Sequence, residues 1–555
     1  MFFQRFLKKY VFDNYDDYKE NATPIVPENF NFAYDIVDVY AEEEPTKRAL
    51  VWCNDNEEEK IFTFADISLK SKQIANFITA QGIKKGDSVM LILRRRYEYW
   101  LTIVALHRIG AIAIPATEQL LKKDIEYRIS AANVKMIIAS DNVHLLDEVD
   151  KAIPNSPSVK TLITVGEKRN GWLNFHEAVQ NYSSDFERPQ GEAATKNEDP
   201  MLLYFTSGTS GYPKMVLHNF LYPIGHIITA KYWQQVITDG LHFTMAETGW
   251  AKSSWGKIYG QWIAGTAIFV YDMVSFHPDR VLSKIAEYGV TTFCAPPTIY
   301  RYMVRQNLSK YDFSSLKHCC TAGEALNGEV FNKFKEYTNH KMYEGFGQSE
   351  STVIVGNFPG IEVRPGSMGK PAPCYDVDIV NADGISCKPG EIGELVIDVS
   401  KEHPFGLFVG YFQDPDLTEE AFSKGVYHTG DTVYRDKDGY IWFVGRTDDI
   451  IKSSGYRISP FEVESVLQQH PAVLECAVTG VKDAKRGQAV KATIVLSPGY
   501  SASHELEVEL FDYVKHETAL YKSPRIIEFV SELPKTFSGK IRRMEIREKD
   551  NGKEE

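Results

Sequence analysis

Residues 89–115 read VMLILRRRYEYWLTIVALHRIGAIAIP. The apolar run Val89–Leu93 has the length of a buried strand and is too short for a helix. Tyr97 to Ile109 carries apolar residues at helical spacing and stops before Gly110, a residue suited to a helix end. Ala111–Pro115 is a second strand-like run. Strand, helix and strand at this spacing predict parallel α/β layers. Similar runs recur at Lys135–Ala139, Thr161–Val165, Met201–Phe205, Ala267–Tyr271 and Thr291–Ala295.

Outward from this stretch the texture changes twice. From about residue 360, short β-like runs alternate with Gly, Pro, Asn and Asp. After residue 446 a polar run, Thr447–Asp449, leads into an amphipathic helix at Ser459–Gln469, with Pro460 near its first turn. Strand-like segments at 477–481 and 492–496 and a helix at 504–516 follow. The expectation is an α/β chain of two unequal bodies. Residues 1–447 form a large body of several subdomains, with mixed parallel sheets and a β-rich part. Residues 448–555 form a small α+β domain. Residues 1–60 are polar, acidic and aromatic and read as a surface wrap. Residues 184–200 read as an exposed loop.

Composition removes several function classes. Acids outnumber bases, 75 to 62, so a net charge of −13 argues against a general grip on nucleic acid. The seven cysteines are odd in number and contain no C-x-x-C, which fits free thiols in a reducing compartment. No HExxH zinc motif occurs. The first 20 residues lack an apolar core of the signal-peptide kind, and Arg94, Arg95 and Arg96 interrupt the most apolar early stretch. No transmembrane segment is expected, and the location expected is cytoplasmic.

Five motifs carry chemistry. Thr206-Ser207-Gly208-Thr209-Ser210-Gly211-Tyr-Pro-Lys214 follows the strand MLLYF. Glycines, hydroxyls, backbone N–H groups and a lysine together can cradle phosphate, or they form a simple flexible turn. Met215 stands where a Walker A loop has Ser or Thr. Tyr343-Glu344-Gly345-Phe346-Gly347-Gln348-Ser349-Glu350 offers Glu350 as a magnesium ligand, or is a surface turn. Tyr427-His-Thr-Gly-Asp431 offers a carboxylate for a ribose diol, with Arg446 and Asp448 following. Lys452-Ser-Ser454-Gly455-Tyr456-Arg457 and Pro534-Lys-Thr-Phe-Ser-Gly-Lys540 are glycine turns bearing cations.

In this order the motifs resemble the adenylate-forming superfamily of acyl-CoA synthetases, peptide-synthetase adenylation domains and luciferases. The resemblance covers nearly the whole chain. Glu247-Thr-Gly-Trp250 and Trp255-Gly-Lys-Ile-Tyr-Gly-Gln-Trp262 look most like medium-chain acyl-CoA synthetases. The resemblance implies a carboxylic acid, ATP and CoA as substrates, Mg²⁺ as cofactor, and a role in fatty-acid metabolism. It is compatible with a homodimer. It implies that residues 206–214 hold the β- and γ-phosphates and that Glu350 carries Mg²⁺. Ser349 would face the α-phosphate or acyl carbonyl. Gly323, Glu324, Ala325 and Phe346 would line the adenine slot, flanked by Glu344, Gly345, Gly347 and Gln348. Asp431 would take the ribose hydroxyls, Arg446 would reach ribose or phosphate, and Lys540 would clamp the attacking carboxylate.

The small domain would swing about a hinge at Asp448, exchanging Lys540 for the Ser454–Arg457 loop. Ser454, Gly455, Tyr456 and Arg457 would then line the thiol's path, with Gln119, Arg486 and Lys515 toward the CoA phosphates. Two positions depart from the family pattern: Phe346 replaces Tyr, and Ser349 replaces Thr. Gly347 stands where acetate-specific relatives often carry Trp, so room for a larger acid is expected. Trp250 and Trp255 would wall that acyl pocket, or pack in the core. A medium-chain, branched or aryl acid is expected. Residues 249–256 offer no acid to pair with an α-amino group. Two alternatives stay open: an adenylation protein loading a carrier's pantetheine arm, and an inactive nucleotide-binding relative.

Overall fold

The computed structural model describes residues 2–551 except 207–211, 325, 327, 455, 484 and 536–540, and the backbone alone of 328, 329, 457 and 551. Strand Ser88–Ile92 pairs in parallel with Ile112–Pro115 on one side and Val134–Ser140 on the other. Helix Glu98–Ile109 connects the first two and is buried along its whole length. Gly110 ends it at φ +79, donating its N–H to the carbonyls of Leu106 and His107. A side chain there would be strained and would meet Thr195 Cγ2 at 2.8 Å, so the glycine is required twice over.

These strands belong to an eight-stranded sheet that also holds Pro200–Thr206 and Lys214–Asn219, an antiparallel pair flanking the 206–214 loop. A nine-stranded sheet has a parallel centre of Ala267–Asp272, Leu241–Thr244, Thr292–Ala295, His318–Thr321 and Met342–Phe346. A four-stranded antiparallel sheet runs through Asp376–Val380, Ile392–Asp398, Val426–Arg435 and Ile441–Arg446. This is the β-rich part expected from the texture after residue 360.

The N-terminal reading needs correction. Residues 1–60 are no surface wrap. Phe30, Phe32, Ala33 and Ile36 are fully buried, and strand Arg48–Asn54 joins the nine-stranded sheet beside Ala267–Asp272. Polar loops on either side mask this short apolar strand in the composition.

The C-terminal part has its own core of Ile458, Val463, Leu467, Val478, Ile494 and Leu510 around a five-stranded sheet. Ser459 caps helix Pro460–Leu467 by accepting from the N–H of Glu462, and Pro460 fills the first helical position. On that helix Glu464 is buried. It accepts from Arg543 at 2.7 Å and from the N–H of Val478 at 2.7 Å. Every one of the seven cysteines is a free thiol.

Within each of the two large sheets the parallel strands point their carboxyl ends the same way. Arg94 and Glu118 follow strands of one sheet. Met245, Met273, Glu324 and Gly347 follow strands of the other. Ligands of open α/β sheets bind at such ends, and the sequence motifs gather there.

Candidate active site

Gln348 is the junction of the site. Its Nε2 donates to Asp431 Oδ2 at 2.5 Å and to the carbonyl of Thr429 at 2.7 Å. Its Oε1 accepts from the Tyr427 hydroxyl at 2.7 Å. One amide therefore joins the 343–350 and 427–431 motifs. Asp431, 5% exposed, stands 3.4 Å from Arg446 Nη1, which also donates to Thr429 O at 3.1 Å. The carboxylate is held from two sides, with its orientation set before any ligand arrives.

Glu350 is fixed from another direction. The Tyr411 hydroxyl donates to Glu350 Oε1 at 3.1 Å, and Lys214 Nζ lies 5.0 Å over the Tyr411 ring. Burial first, then the Glu350 charge, push the Tyr411 phenol well above its usual range. Tyr411 thus ties the end of the 206–214 loop to Glu350. Thr206 and Lys214 face each other as the rungs flanking that loop. Ser207, Gly208, Thr209, Ser210 and Gly211 lie outside the described residues. Ser349 is held by its carbonyl, which accepts from His218 Nε2 at 2.8 Å. Burial depresses the His218 imidazole to about 3, so it serves as a neutral donor.

Across the site, Gly323 adopts φ +101 and the Ala322 carbonyl accepts from Lys252 Nζ. Glu324 accepts from the Thr298 hydroxyl at 2.6 Å. Glu344 is buried and accepts from the Leu326 N–H at 3.4 Å, and burial pushes its carboxyl up to about 8. Ala325 lies outside the described residues. Gly345 and Phe346 continue the strand, and the Phe346 carbonyl accepts from Ile354 N at 2.8 Å.

The acyl-pocket expectation changes at one point. Space beside Gly347 is not left open. A Cβ on Gly347 would overlap Trp255 Cη2 and lie 2.5 Å from the carbonyl of Thr352. Trp255 is 5% exposed, stands edge-on to Trp233 at 5.9 Å and donates its indole N–H to Ser351 O at 3.2 Å. The glycine admits the Trp255 indole. Trp250 is half-buried, at the end of a turn in which its N–H bonds Glu247 O at 3.2 Å.

The residues assigned to CoA are brought together in part: the Ser454 N–H donates to the Arg486 carbonyl at 2.8 Å. Gln119 is exposed on the rim of a cavity in the large body. Arg486 pairs with Asp483 at 3.5 Å and Lys515 with Asp512 at 3.9 Å, both on the small domain. Ser454 takes φ +51 and Tyr456 stacks on Tyr521 at 4.1 Å. Gly455 and Lys540, and the side chain of Arg457, lie outside the description. Asp448 is exposed, with Arg446 Nε at 3.7 Å from its carboxylate and Arg547 Nη1 donating to its carbonyl at 3.0 Å.

Glu350 has an oxygen to offer a divalent cation, because it is bonded through one oxygen only among the described residues. Mg²⁺ is commonly held by one or two carboxylates plus substrate phosphates. No group of three His, Cys, Asp or Glu that could hold a metal by itself occurs among the described residues.

Comparison with known proteins decides the family. Residues 37–412 match the AMP-binding enzyme family, and residues 462–540 match the AMP-binding enzyme C-terminal domain. The chain belongs to the AMP-binding enzyme family. Mitochondrial acyl-coenzyme A synthetase ACSM3 of Homo sapiens is 41% identical over 97% of this chain and 93% of its own length. Mitochondrial ACSM5 of Homo sapiens is 42% identical over 95% and 92%. Among solved structures, the anthranilate CoA ligase AuaEII in complex with anthranoyl-AMP superposes with a TM-score of 0.85. It is 28% identical, over 95% of this chain and 98% of that one. The Brucella canis acyl-CoA synthetase gives 0.71 at 32% identity, over 95% of each chain.

Two consequences follow for this AMP-binding enzyme. The cytoplasmic expectation is corrected, because these curated relatives carry mitochondrial names. Free thiols and an acidic charge separate a reducing from an oxidising compartment, but not one reducing compartment from another. Tyr411, His218 and Thr298 were not singled out from sequence. Tyr411 and His218 lie 61 and 131 residues from their partners, and Thr298 lies 26 residues from Glu324 on helix Pro297–Met303, so no local pattern marks them.

Proposed function

We propose that the chain is an ATP-dependent acyl-CoA synthetase. In the first step a carboxylate oxygen attacks the α-phosphorus of ATP. The new O–P bond replaces the bond to pyrophosphate, which leaves. In the second step the sulfur of CoA attacks the acyl carbonyl. A C–S bond forms, the C–O bond to AMP breaks, the thiol proton passes to solvent and AMP departs.

The observation that carries this reading is the bridge from Gln348 to Asp431, which joins two motifs 83 residues apart around one carboxylate. Asp431 and Arg446 would meet the ribose. Gly323, Glu324 and the 344–347 strand end would border adenine. Thr206 and Lys214, with the loop between them, would hold phosphates, and Glu350 would bring Mg²⁺ against them. Ser349 would face the reacting phosphate or carbonyl. Lys540 would act as an electrostatic clamp, since a carboxylate needs no deprotonation at pH 7. The small domain, residues 448–555, would turn about Asp448 between the two steps and present Ser454–Arg457 to the thiol, with Gln119, Arg486 and Lys515 near the coenzyme's phosphates.

Among acids, a medium-chain, branched or aryl carboxylate would meet the wall made by Trp255. The structural likeness to the anthranilate CoA ligase supports the aryl end of that range. The test is pyrophosphate release with ATP and CoA across C2–C12, branched and aryl acids. Acid-dependent release with acyl-CoA formed supports the reading. Absence of release with every acid overturns it.

A further inference from the structure

The antiparallel strands Ile392–Asp398 and Val426–Arg435 pair at Glu394 with Thr432 and again at Val396 with His428. Between those two pairs a single residue, Leu395, faces three: Thr429, Gly430 and Asp431. The strand that carries Asp431 therefore bulges at the site. A bulge interrupts the ladder, bends its strand and re-aims the side chains within it. The side chain re-aimed here is that of Asp431, which meets Gln348 and Arg446.

An interrupted ladder leaves backbone groups that need other partners. Thr429 Oγ1 donates to the Leu395 carbonyl at 2.7 Å and accepts from the N–H of Asp431 at 3.1 Å. The Gly430 carbonyl accepts from the Thr447 N–H at 3.0 Å. The Gly430 N–H donates to Glu394 Oε1 at 2.9 Å, and Glu394 Oε2 hydrogen-bonds His428 Nδ1 at 3.0 Å. One carboxylate thus clasps the bulge on both sides of Thr429. Gly430 adopts φ +68, and a Cβ there would stand 2.8 Å from Arg446 Nη2, so the turn is packed against the arginine that faces Asp431.

We propose that Glu394 is a positioning residue for nucleotide selection: it holds the bulge at Gly430 and so sets where the Asp431 carboxylate meets the ribose hydroxyls. The proposal rests on the reading of Asp431 as the residue that takes the ribose. Hydrogen bonds from a backbone N–H to a carboxylate are roughly twice as strong as neutral ones, and two bonds from one carboxylate fix the angle of the turn as well as its distance. Without that acceptor the Gly430 N–H turns to water. Asp431 then keeps its charge and loses its aim.

The experiment measures kcat/KM of the full-length enzyme in pyrophosphate release, with one accepted acid, for ATP and for dideoxyATP, which lacks both ribose hydroxyls. The wild type is expected to prefer ATP by about tenfold or more, the effect of a hydrogen bond to a charged group. Asp431→Ala should erase that preference. Glu394→Ala should erase most of it, through slower reaction of ATP with dideoxyATP little changed. Glu394→Asp, a methylene too short to reach the Gly430 N–H, should do the same, and its retained charge makes it the variant to read where Glu394→Ala does not fold. Glu394→Gln offers an amide oxygen to that N–H and should restore much of the preference. Equal slowing of both nucleotides in Glu394→Ala and Glu394→Asp would mean a structural role and overturn the proposal. So would a wild-type preference in either variant while Asp431→Ala has lost it, an outcome that leaves the ribose reading standing. An undiminished preference in Asp431→Ala defeats the ribose reading instead, and the proposal falls with it.

Discussion

The Trp255 indole occupies the volume that a side chain on Gly347 would need, with its Cη2 inside the contact radius of a Cβ built there. The two residues lie 92 positions apart and specify each other. Any side chain at 347 displaces the indole, and loss of the indole opens the space that the glycine leaves. With Trp255 as the proposed acyl wall, acid size becomes a property of the pair and not of either residue.

Trp255→Ala should shift the acid preference toward longer chains in a pyrophosphate-release assay. It should also lower stability by about 3–5 kcal/mol, as buried tryptophan truncations do, read as a reduced denaturation midpoint. Gly347→Ala should weaken acid binding without that shift. A longer-acid preference in Gly347→Ala would contradict the geometry.

Gln348 orients Asp431, so Gln348→Ala should raise the KM for ATP several-fold with the acid's KM little changed. The lost bond is to a charged acceptor, worth about 1.5–3 kcal/mol. Asp431→Asn should produce a similar ATP defect, and the double variant should fall short of the sum because the two share one interaction. Full additivity in the double-mutant cycle would separate the two residues.

Glu344 carries a buried carboxyl pushed up to about 8. Its native pKa lies above its unfolded one, so the folded protein holds a proton that the unfolded chain gives up. Stability should fall as pH rises from about 4.5 to about 8 and then level off. Glu344→Gln keeps an acceptor for the Leu326 N–H and removes the ionisation. It should be as stable as the wild type near pH 4.5 and more stable near pH 8, by an amount on the order of 4 kcal/mol. Urea midpoints at the two pH values test this, and parallel pH curves would refute it.

Lys540→Ala should slow adenylation by roughly 10²–10³ while thioester formation from supplied acyl-AMP persists. Asp448→Pro should do the reverse, because proline fixes φ at the proposed hinge. Equal loss of both half-reactions in either variant would remove the residue from its role.

Local patterns carried most of the fold. The run VMLIL, the helix ending at Gly110 and the run AIAIP were legible because burial on both faces leaves an uninterrupted apolar strand. Strand Arg48–Asn54 was not legible, because acidic and aromatic neighbours diluted it and its partner Ala267–Asp272 lies more than 200 residues away. The site divides in the same way. Lys214, Glu350, Asp431 and Arg446 sit in motifs whose residue types and order can be read along the chain. Tyr411 on Glu350 and Gln348 on Asp431 meet only once distant segments are side by side.

The sequence by itself determined the layer architecture, the motif order and hence the family, since each depends on residues close together along the chain. Only the tertiary structure decided what Gly347 is for. Close packing fills interior space with whatever the fold delivers to it, and here the fold delivers Trp255. A gap beside a glycine reads in sequence as room for substrate; in three dimensions it belongs to a neighbour.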